Sequence, residues 1–218
     1  MKVYVDAKEL LAAAKFCDDK KNKGCREILR CVHVESNEND YALVSTDSYK
    51  LIKFVHNNTN PDGANDVFTC NIGIDVIKES VKTTDDVICI EYDEETLAVT
   101  LNIFKKNRFN IVNRASVKTT ANNGTYPQYN KLLEKDVKRD DDGNELPKMN
   151  GIRLNTAFVE ETCKYIQLAY GKKTPIDIEL GYANEPALFN AVSEVEYNDD
   201  GERIPVGYCN GLVMPIRK

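Results

Sequence analysis

Cysteine and histidine are the residue types here that could form a catalytic nucleophile. Cys31 and His33 are two residues apart, so they face the same side of a predicted strand. A thiol beside an imidazole base is one arrangement of a cysteine nucleophile. The same spacing is far more often a packed thiol next to a solvent-facing imidazole, and we favour that interpretation. The second histidine, His56, ends a predicted strand and has no obvious partner.

Two acidic loops have the composition of calcium-binding loops but not their spacing. In residues 138–149 (KRDDDGNELPKM), Lys138 and Met149 occupy the positions that need the first ligand and the bidentate glutamate. In residues 196–207 (EYNDDGERIPVG), Gly207 occupies the last liganding position. We therefore predict two turns and no metal site.

Motifs of nucleotide-binding and hydrolytic enzymes are missing from the sequence. It has no Walker-type phosphate loop and no GxGxxG, HExxH or GxSxG motif. Aspartates and glutamates are numerous, but their spacing marks no acid and base pair. We therefore predict a protein without catalytic residues, enzymatic activity or a cofactor.

The composition is that of a globular protein without a membrane segment. Of 218 residues, 42% are hydrophobic and 29% are charged, and the net charge is −6, which still permits a local basic face. The beginning, MKVYVDAKEL, has no apolar signal core, and no apolar run reaches membrane length. Seven scattered cysteines without a CxxC pair indicate reduced thiols, so we expect a cytoplasmic protein.

Hydrophobic patterning predicts the same cycle of elements, β-α-β-β-β, three times. In the first cycle Asp6 is the predicted N-cap of a helix, and Glu9 is its capping-box partner. The second cycle has a helix at 74–81. In the third, Thr156 is the predicted N-cap and Gly171 the C-terminal stop. The predicted strands are at 2–5, 28–35, 41–46, 49–56, 67–71, 87–92, 97–101, 109–112, 151–155, 176–180, 188–195 and 208–214.

The connections between these elements predict the fold class. Strands outnumber helices and are joined by short turns, which favours antiparallel sheets with helices on one face, an α+β architecture. The polar, acidic stretch 134–149 predicts an exposed linker. It would join a complete domain at 1–133, made of two cycles, to a half-domain at 150–218.

Lysines and arginines concentrate in the predicted helices and in the loop after the first helix. On one side of a sheet they would form a basic face on an acidic protein, although spacing alone fits a solvated helix surface better. The residues are Lys15, Lys20, Lys21, Lys23, Arg26, Lys78, Lys82 and Lys164.

Three short stretches resemble segments of one protein family. Residues 44–51 (VSTDSYKL) resemble its ATDGHRLA turn, residues 124–133 (GTYPQYNKLL) its G-x-F-P-D-Y-x-x-V/L segment, and residues 213–217 (VMPIR) its VMPMR terminus. The family is the bacterial sliding clamp, the β subunit of DNA polymerase III. The resemblance rests on the order and spacing of all three stretches, and it implies the DNA-clamp (processivity) fold of β-α-β-β-β repeats.

The resemblance covers only part of a clamp chain. Residues 1–133 are similar to its middle domain and residues 150–218 to the second half of its last domain, while its first domain has no counterpart. A complete ring of the family has twelve repeats, so four copies of this three-repeat chain would reach that number. The missing half-domain leaves ring formation open.

In the family, the three stretches form a pocket for peptides of the Gln-x-x-Leu-Phe type, which DNA polymerases and other replication proteins carry. The family's Gly-His-Arg is Ser48-Tyr49-Lys50 here, and Lys131 stands for an arginine, so peptide preference is expected to differ. The pocket residues that the resemblance implies are Thr46, Ser48, Tyr49, Lys50, Leu51, Pro127, Lys131, Leu132, Val213, Met214, Pro215 and Ile216.

Two functions follow from the resemblance. In the first, the chain is a reduced sliding clamp that self-associates into a ring and acts as a processivity factor in replication. The basic residues named above would contact the phosphates of duplex DNA, and Lys21 and Lys23 are best placed by the resemblance. In the second, the chain is an adaptor or competitor that retains the peptide pocket without encircling DNA. Retention on circular DNA distinguishes the two.

Overall fold

The structure is a computed structural model that describes residues 1–16, 26–58, 63, 65–82, 86–106, 111–133, 138–147, 152–182, 185–193, 195–197 and 203–215. In chain order, its first elements are β1 (Lys2–Asp6), α1 (Ala7–Phe16), a 3-10 helix (Glu27–Arg30), β2 (Cys31–Ser36), β3 (Asp40–Thr46), β4 (Lys50–Asn57), β5 (Phe68–Gly73), α2 (Ile74–Ser80), β6 (Asp86–Asp93), β7 (Ala98–Lys106) and β8 (Ile111–Thr120). They are followed by α3 (Asn130–Leu133), α4 (Thr156–Tyr170), β9 (Asp177–Glu179), β10 (Ala187–Val192), β11 (Val195–Tyr197), β12 (Arg203–Pro205) and β13 (Gly207–Val213).

Two antiparallel sheets exchange strands between the first two repeats. The smaller sheet has the order β1-β6-β7-β8, so β1 of the first repeat joins three strands of the second. The larger sheet has the order β5-β2-β3-β4-β13-β10-β9, so β5 of the second repeat joins three strands of the first. This exchange binds the two repeats into one unit and confirms the predicted α+β class with antiparallel sheets.

The third repeat extends the larger sheet. β13 pairs with β4 on one side and with β10 on the other. The first strand predicted for this repeat is reduced to one bridge between Leu154 and Pro215. The proposed division of the chain at residues 133 and 150 stays a prediction.

Helix α1 lies at the centre of the main core. Its sequence, AKELLAAAKF, is apolar around most of its circumference, and a helix of that kind is stable only with partners on several sides. It contacts strands of both sheets as well as α2 and α4. The largest fully buried side chains of this core include Phe16 of α1, Phe54 of β4 and Phe189 of β10.

The start of α1 confirms one predicted cap and corrects another. Asp6 Oδ1 accepts a hydrogen bond from Lys8 N at 2.7 Å, as an N-cap side chain does. Glu9 does not complete a capping box. Its side chain is buried and accepts a hydrogen bond from Tyr41 Oη at 2.8 Å, because it lies on the side of the helix that faces the sheet.

The N-cap of helix α4 lies one residue earlier than predicted. Asn155, not Thr156, is the N-cap, and its side chain accepts a hydrogen bond from Ala157 N at 3.0 Å. Gly171 has a φ of 102° and ends the helix, as predicted for a C-terminal glycine. None of the described helices has the length and apolar character needed to cross a membrane.

Several predicted strands differ from the structure at their ends. The strand predicted at 97–101 is β7, which continues to Lys106, and the strand predicted at 188–195 is β10, which ends at Val192. Residues 27–30 form a 3-10 helix, so the strand predicted at 28–35 begins only at Cys31. The strand predicted at 109–112 is β8, which continues to Thr120. Side chains 113–116 of β8 are all exposed, and a strand with polar residues on both faces has no alternation that a sequence can reveal.

Gly211 on β13 lies against α4. A Cβ atom at this position would stand 2.5 Å from Thr162 Cγ2 and 3.3 Å from Phe189 Cβ. We expect Gly211→Ala to lower the free energy of unfolding by about 1–3 kcal/mol, because the added atom displaces packed neighbours. Urea denaturation measures the change. Gly73→Ala is the matched control, since its Cβ would meet nothing within 4 Å, and equal losses in both variants would contradict this account.

Candidate functional site

The turn between β3 and β4 is held by its own side chains. Asp47 Oδ1 accepts hydrogen bonds from the backbone amides of Tyr49 and Lys50, both at 2.9 Å. Thr46 Oγ1 donates to the carbonyl of Lys50 at 2.8 Å. Ser48 has a φ of 78°, which is uncommon for a residue with a side chain, so these bonds must hold it in place. The turn leaves the ring of Tyr49 58% exposed.

The end of β13 meets this turn. Met214 N donates a hydrogen bond to Tyr49 O at 3.0 Å. The pairing of β13 with β4 places Leu212 opposite Leu51, and β10 brings Leu188 opposite Leu212. The three leucines therefore lie side by side on one face of the larger sheet.

A hydrophobic cluster separate from the main core covers these leucines, and we call it the outer cluster. Segment 124–133 packs over the sheet at this point and ends in the single turn of α3. Leu133 and Met214 are only half-buried, so they form the accessible edge of the cluster. The outer cluster consists of Ile28, Leu29, Val44, Leu51, Tyr126, Tyr129, Leu188 and Leu212, with Leu133 and Met214 packed against it.

Two tyrosines hold segment 124–133 on the sheet. Tyr126 Oη donates to Val44 O at 3.3 Å, and its ring stacks on His33 with centroids 4.6 Å apart. Tyr129 Oη donates to the carboxylate of Glu35 at 2.6 Å. Three stretches that are far apart in the sequence are thereby brought together at the outer cluster.

Glu35 is the charged group beneath this segment. Burial alone would raise the pKa of its carboxyl group, but hydrogen bonds from His33 and Tyr129 and the charge of Lys53 outweigh burial and lower the pKa to about 2. The ammonium of Lys53 lies 3.7 Å from Glu35 Oε2 and 5.0 Å from the centre of the Tyr129 ring. Glu35 is therefore ionised at neutral pH and binds the segment in that form.

Tyr129→Phe removes one of these bonds to Glu35. We expect the free energy of unfolding to fall by about 1–2 kcal/mol at neutral pH, since the lost bond is to a charged acceptor. A lowered folded-state pKa stabilises the protein above the unfolded pKa of about 4.5 and stops doing so as the pH falls through about 2. The difference in free energy of unfolding between the variant and the wild type should therefore become smaller as the pH falls from 4.5 to 2. Urea denaturation at several pH values measures it. A difference that stays constant over this range would contradict the role of Glu35.

A cavity of about 830 Å³ runs along the same segment. Its lining includes Pro127 and Lys131, two of the pocket residues that the resemblance implies. It also includes Asn71, whose side-chain amide donates to the carbonyls of Asn122 and Gly124 at 3.1 and 3.2 Å. These polar groups of the cavity hold the segment in place.

Two of the implied pocket side chains lie on the other face of the sheet. Val213 is fully buried in the main core, and Lys50 is 3% exposed with its ammonium 2.5 Å from Phe16 O. They cannot line the accessible edge of the outer cluster, because side chains alternate along a strand. Leu212 and Met214 lie on that side instead.

The other implied pocket residues lie at or near the turn, the segment and the end of β13. Thr46 is buried within the turn, and Pro215 is half-buried next to Met214. Leu132 on α3 is 46% exposed. Ser48 and Lys131 are also exposed, and Ile216 lies outside the described residues.

Leu188, Leu212 and Leu133 are members of the outer cluster that sequence reasoning missed. The alternation of Leu212 and Met214 around Val213 is a signal that could have identified Leu212. No local signal identifies Leu188, because its place depends on the pairing of β10 with β13.

The basic residues do not dominate the described helix surfaces. Helices α1, α2 and α4 carry four lysines (8, 15, 78 and 164) and four accessible acidic residues (75, 79, 160 and 161), while the fifth acidic residue, Glu9, is buried. The ammonium of Lys78 lies 3.2 Å from Asp75, and Lys15 is half-buried. Arg26, Lys82 and Lys164 are exposed, while Lys20, Lys21 and Lys23 lie outside the described residues.

Cys31 and His33 do not form a nucleophile and base. The thiol of Cys31 contacts Glu27 O at 3.7 Å, and burial raises its pKa to about 11, which opposes thiolate formation. His33 Nδ1 lies 2.8 Å from Asn71 Oδ1, and Nε2 lies 3.4 Å from Glu35. Among the described residues, no group of three or more acidic, cysteine or histidine side chains could hold a metal ion.

Solved structures that superpose on this chain are bacterial sliding clamps. The DNA polymerase III β subunit of Thermotoga maritima has 15% sequence identity and a TM-score of 0.67, covering 100% of this chain and 66% of that one. The β subunit of Streptococcus pyogenes has 15% identity and a TM-score of 0.63 over the same shares. The Pseudomonas aeruginosa clamp, solved with griselimycin bound, has 12% identity and a TM-score of 0.60, also covering 100% and 66%.

These likenesses concern the fold. No protein-family model and no curated protein matches the sequence. The chain spans 66% of the length of these clamps, and the superposition covers all of this chain. The described chain therefore has the bacterial sliding-clamp fold over about two thirds of a clamp's length.

Proposed function

We propose that this chain binds short peptides of the Gln-x-x-Leu-Phe type at the accessible edge of the outer cluster, as a sliding-clamp-like factor in DNA replication. The observation that carries the proposal is the convergence of the β3–β4 turn, segment 124–133 and the end of β13 on one apolar cluster. DNA polymerases or other replication proteins would supply the peptide.

The chemistry of the accessible edge suits a leucine and an aromatic side chain. Leu133 and Met214 are half-buried, so an apolar peptide side chain that covers them removes further apolar surface from water. Methionine is flexible and adapts to the shape of its partner. We assign Leu51, Leu133, Leu212 and Met214 to the floor and edge of the site, with Tyr49 and Leu132 as exposed neighbours.

Fluorescence anisotropy with a labelled Gln-x-x-Leu-Phe peptide tests this proposal. A truncated variant lacking residues 214–218 removes Met214 but leaves Val213, which is buried in the main core. We expect the intact chain to bind the peptide and the truncated chain to bind it much more weakly. A peptide with alanine in place of leucine and phenylalanine is the control. Equal binding by both chains, or no binding by the intact chain, would contradict the assignment.

Duplex DNA is the second partner of the proposed function. The exposed Arg26, Lys82 and Lys164 support phosphate contacts, together with the basic sequence around Lys21 and Lys23. We expect the protein to remain on nicked circular DNA and to leave it after linearisation, with retention falling as salt rises. Retention on linear DNA equal to that on circular DNA would contradict encirclement.

Self-association into a ring is supported by the edges of the two sheets. In the part of the chain that the structure describes, β8 and β9 each pair with one strand only. β8 carries Lys118 and Arg114, the latter paired with Asp86 at 3.3 Å, whereas β9 carries Asp177 and Glu179. These strands have opposite charge and are suited to head-to-tail contact between copies. Sedimentation velocity at low and high salt would show an assembly that salt weakens, and a monomer at every concentration would contradict it.

The ring-less adaptor is the alternative, and the charges of the helices favour it. The four lysines are matched by four accessible acidic residues, since Glu9 is buried, so the surfaces of α1, α2 and α4 have no excess of positive charge. A monomer that binds the peptide and is not retained on circular DNA would identify the adaptor. Retention on the circle would exclude it.

A further inference from the structure

Lys50 is a buried cation between the outer cluster and the helices. Its side chain is 3% exposed, and its ammonium donates to Phe16 O at 2.5 Å. The same nitrogen lies 2.8 Å from Glu161 Oε2 on α4 and 3.6 Å from Asp47 Oδ2 in the turn. It also lies 4.1 Å from the centre of the Phe16 ring.

Each of these contacts has a physical reason. Phe16 is the last residue of α1, and the final carbonyl groups of a helix lack partners within it and carry partial negative charge. A lysine ammonium satisfies such a carbonyl. A buried charge persists only when it is paired and hydrogen-bonded, and the carboxylates of Glu161 and Asp47 supply the pairing. Lys50 is thereby fixed to α1, α4 and the turn at once.

Asp47 connects the ammonium of Lys50 to the backbone of the turn. One of its oxygens accepts from the amides of Tyr49 and Lys50, while the other faces the ammonium of Lys50. Tyr49 O in turn accepts from Met214 N at 3.0 Å, and the Tyr49 ring stacks on Phe158 of α4 at 6.2 Å. An unbroken series of contacts therefore leads from α1 and α4 to Met214 at the edge of the outer cluster.

We propose that Lys50 is a positioning residue of the peptide site, which makes the affinity for peptide depend on the packing of α1 and α4 on the opposite face of the sheet. The inference rests on the proposed peptide binding. Because coupling between two sites is reciprocal, any ligand that alters the contact of α1 with α4 would change peptide affinity, and bound peptide would stabilise that contact.

Two variants and one control separate this role from general stability. Lys50→Met keeps an unbranched side chain but removes the charge, and Glu161→Gln removes the partner on α4, which is 46% exposed. Glu160→Gln is the matched control, since Glu160 is the exposed neighbour on the same helix. Hydrogen exchange at the amides of Tyr49 and Met214 reports on the turn without any peptide.

We expect exchange at these two amides to rise about tenfold in Lys50→Met and about threefold in Glu161→Gln, with peptide affinity falling by similar factors. Amides in β6 and β7 should exchange as in the wild type. A general loss of stability would instead raise exchange at these amides too. Glu160→Gln should leave both measurements unchanged. If Lys50→Met does not fold, Glu161→Gln decides the question.

Unchanged exchange at Tyr49 and Met214 in Glu161→Gln would overturn the proposal. So would a uniform rise in exchange over the whole chain. A wild-type protein that binds no peptide would contradict the proposed function instead, and exchange at the two amides would still decide whether Lys50 positions the turn.

Discussion

Met214→Asp should weaken binding of the Gln-x-x-Leu-Phe peptide by roughly 30- to 150-fold. The new carboxylate would lose its water when an apolar side chain covers it, at a cost of about 2–3 kcal/mol. Because Met214 is only half-buried in the free protein, the folded state can keep the carboxylate hydrated. The effect should therefore appear in peptide affinity far more than in the urea midpoint.

Val67→Asp is the control for this experiment. Val67 is 62% exposed and does not belong to the outer cluster, so the same change in charge should leave peptide affinity unchanged. Anisotropy titrations of both variants, each checked for folding by circular dichroism, provide the comparison. If folded Met214→Asp binds as tightly as wild type, the peptide does not contact the edge of the outer cluster.

Glu9→Gln should stabilise the protein above neutral pH. Glu9 is 2% exposed on α1, and burial raises the pKa of its carboxyl group to about 7. The folded protein therefore keeps a proton that the unfolded chain loses above pH 4.5, so the free energy of unfolding falls as pH rises from 4.5 to about 7. This pKa shift corresponds to about 3 kcal/mol of stability that the wild type loses over this pH range. Glutamine has no proton to release, so the variant would not lose this stability.

Urea denaturation between pH 4 and 8.5 measures this effect. Wild type should lose stability over the range, while Glu9→Gln should lose much less and be the more stable protein at pH 8. Glu91→Gln is the control, since Glu91 is exposed on β6 and its replacement should keep the slope of wild type. Parallel pH profiles of wild type and Glu9→Gln would show that Glu9 is not the group that titrates.

Much of the fold follows from alternation and helical periodicity. β3, β4 and α2 agree with the predicted 41–46, 49–56 and 74–81 to within one residue at each end because each has a clear apolar face. β8 is longer than predicted because its side chains at 113–116 are exposed on both faces and give no apolar alternation. The exchange of β1 and β5 between sheets has no local signal, since it depends on pairing between residues far apart in the chain.

The inward turn of Glu9 shows a second limit of local patterns. A glutamate three residues after a capping aspartate fits a capping box, and it fits equally well a carboxyl group that hydrogen-bonds inside the core. Tyr41, which decides between the two, lies more than thirty residues away on β3. Only the tertiary structure brings the hydroxyl group to Glu9.

The candidate site depends on the same kind of long-range pairing. The three stretches were predicted from their resemblance to clamp segments, and the structure brings them together at the outer cluster. The resemblance could not show that Lys50 and Val213 face away from the outer cluster, because side chains alternate along a strand and the register is set by β4 and β13 together. Their part in the peptide pocket stays a prediction.

Methyl NMR of the intact protein with an unlabelled Gln-x-x-Leu-Phe peptide tests peptide binding at the outer cluster most directly. We expect saturable shifts of the Leu133, Met214 and Leu212 methyl groups, which belong to the outer cluster. The methyl groups of Leu97, which lines the 830 Å³ cavity on segment 122–131, should not move. Shifts confined to Leu97, or no shifts at saturating peptide, would contradict the account.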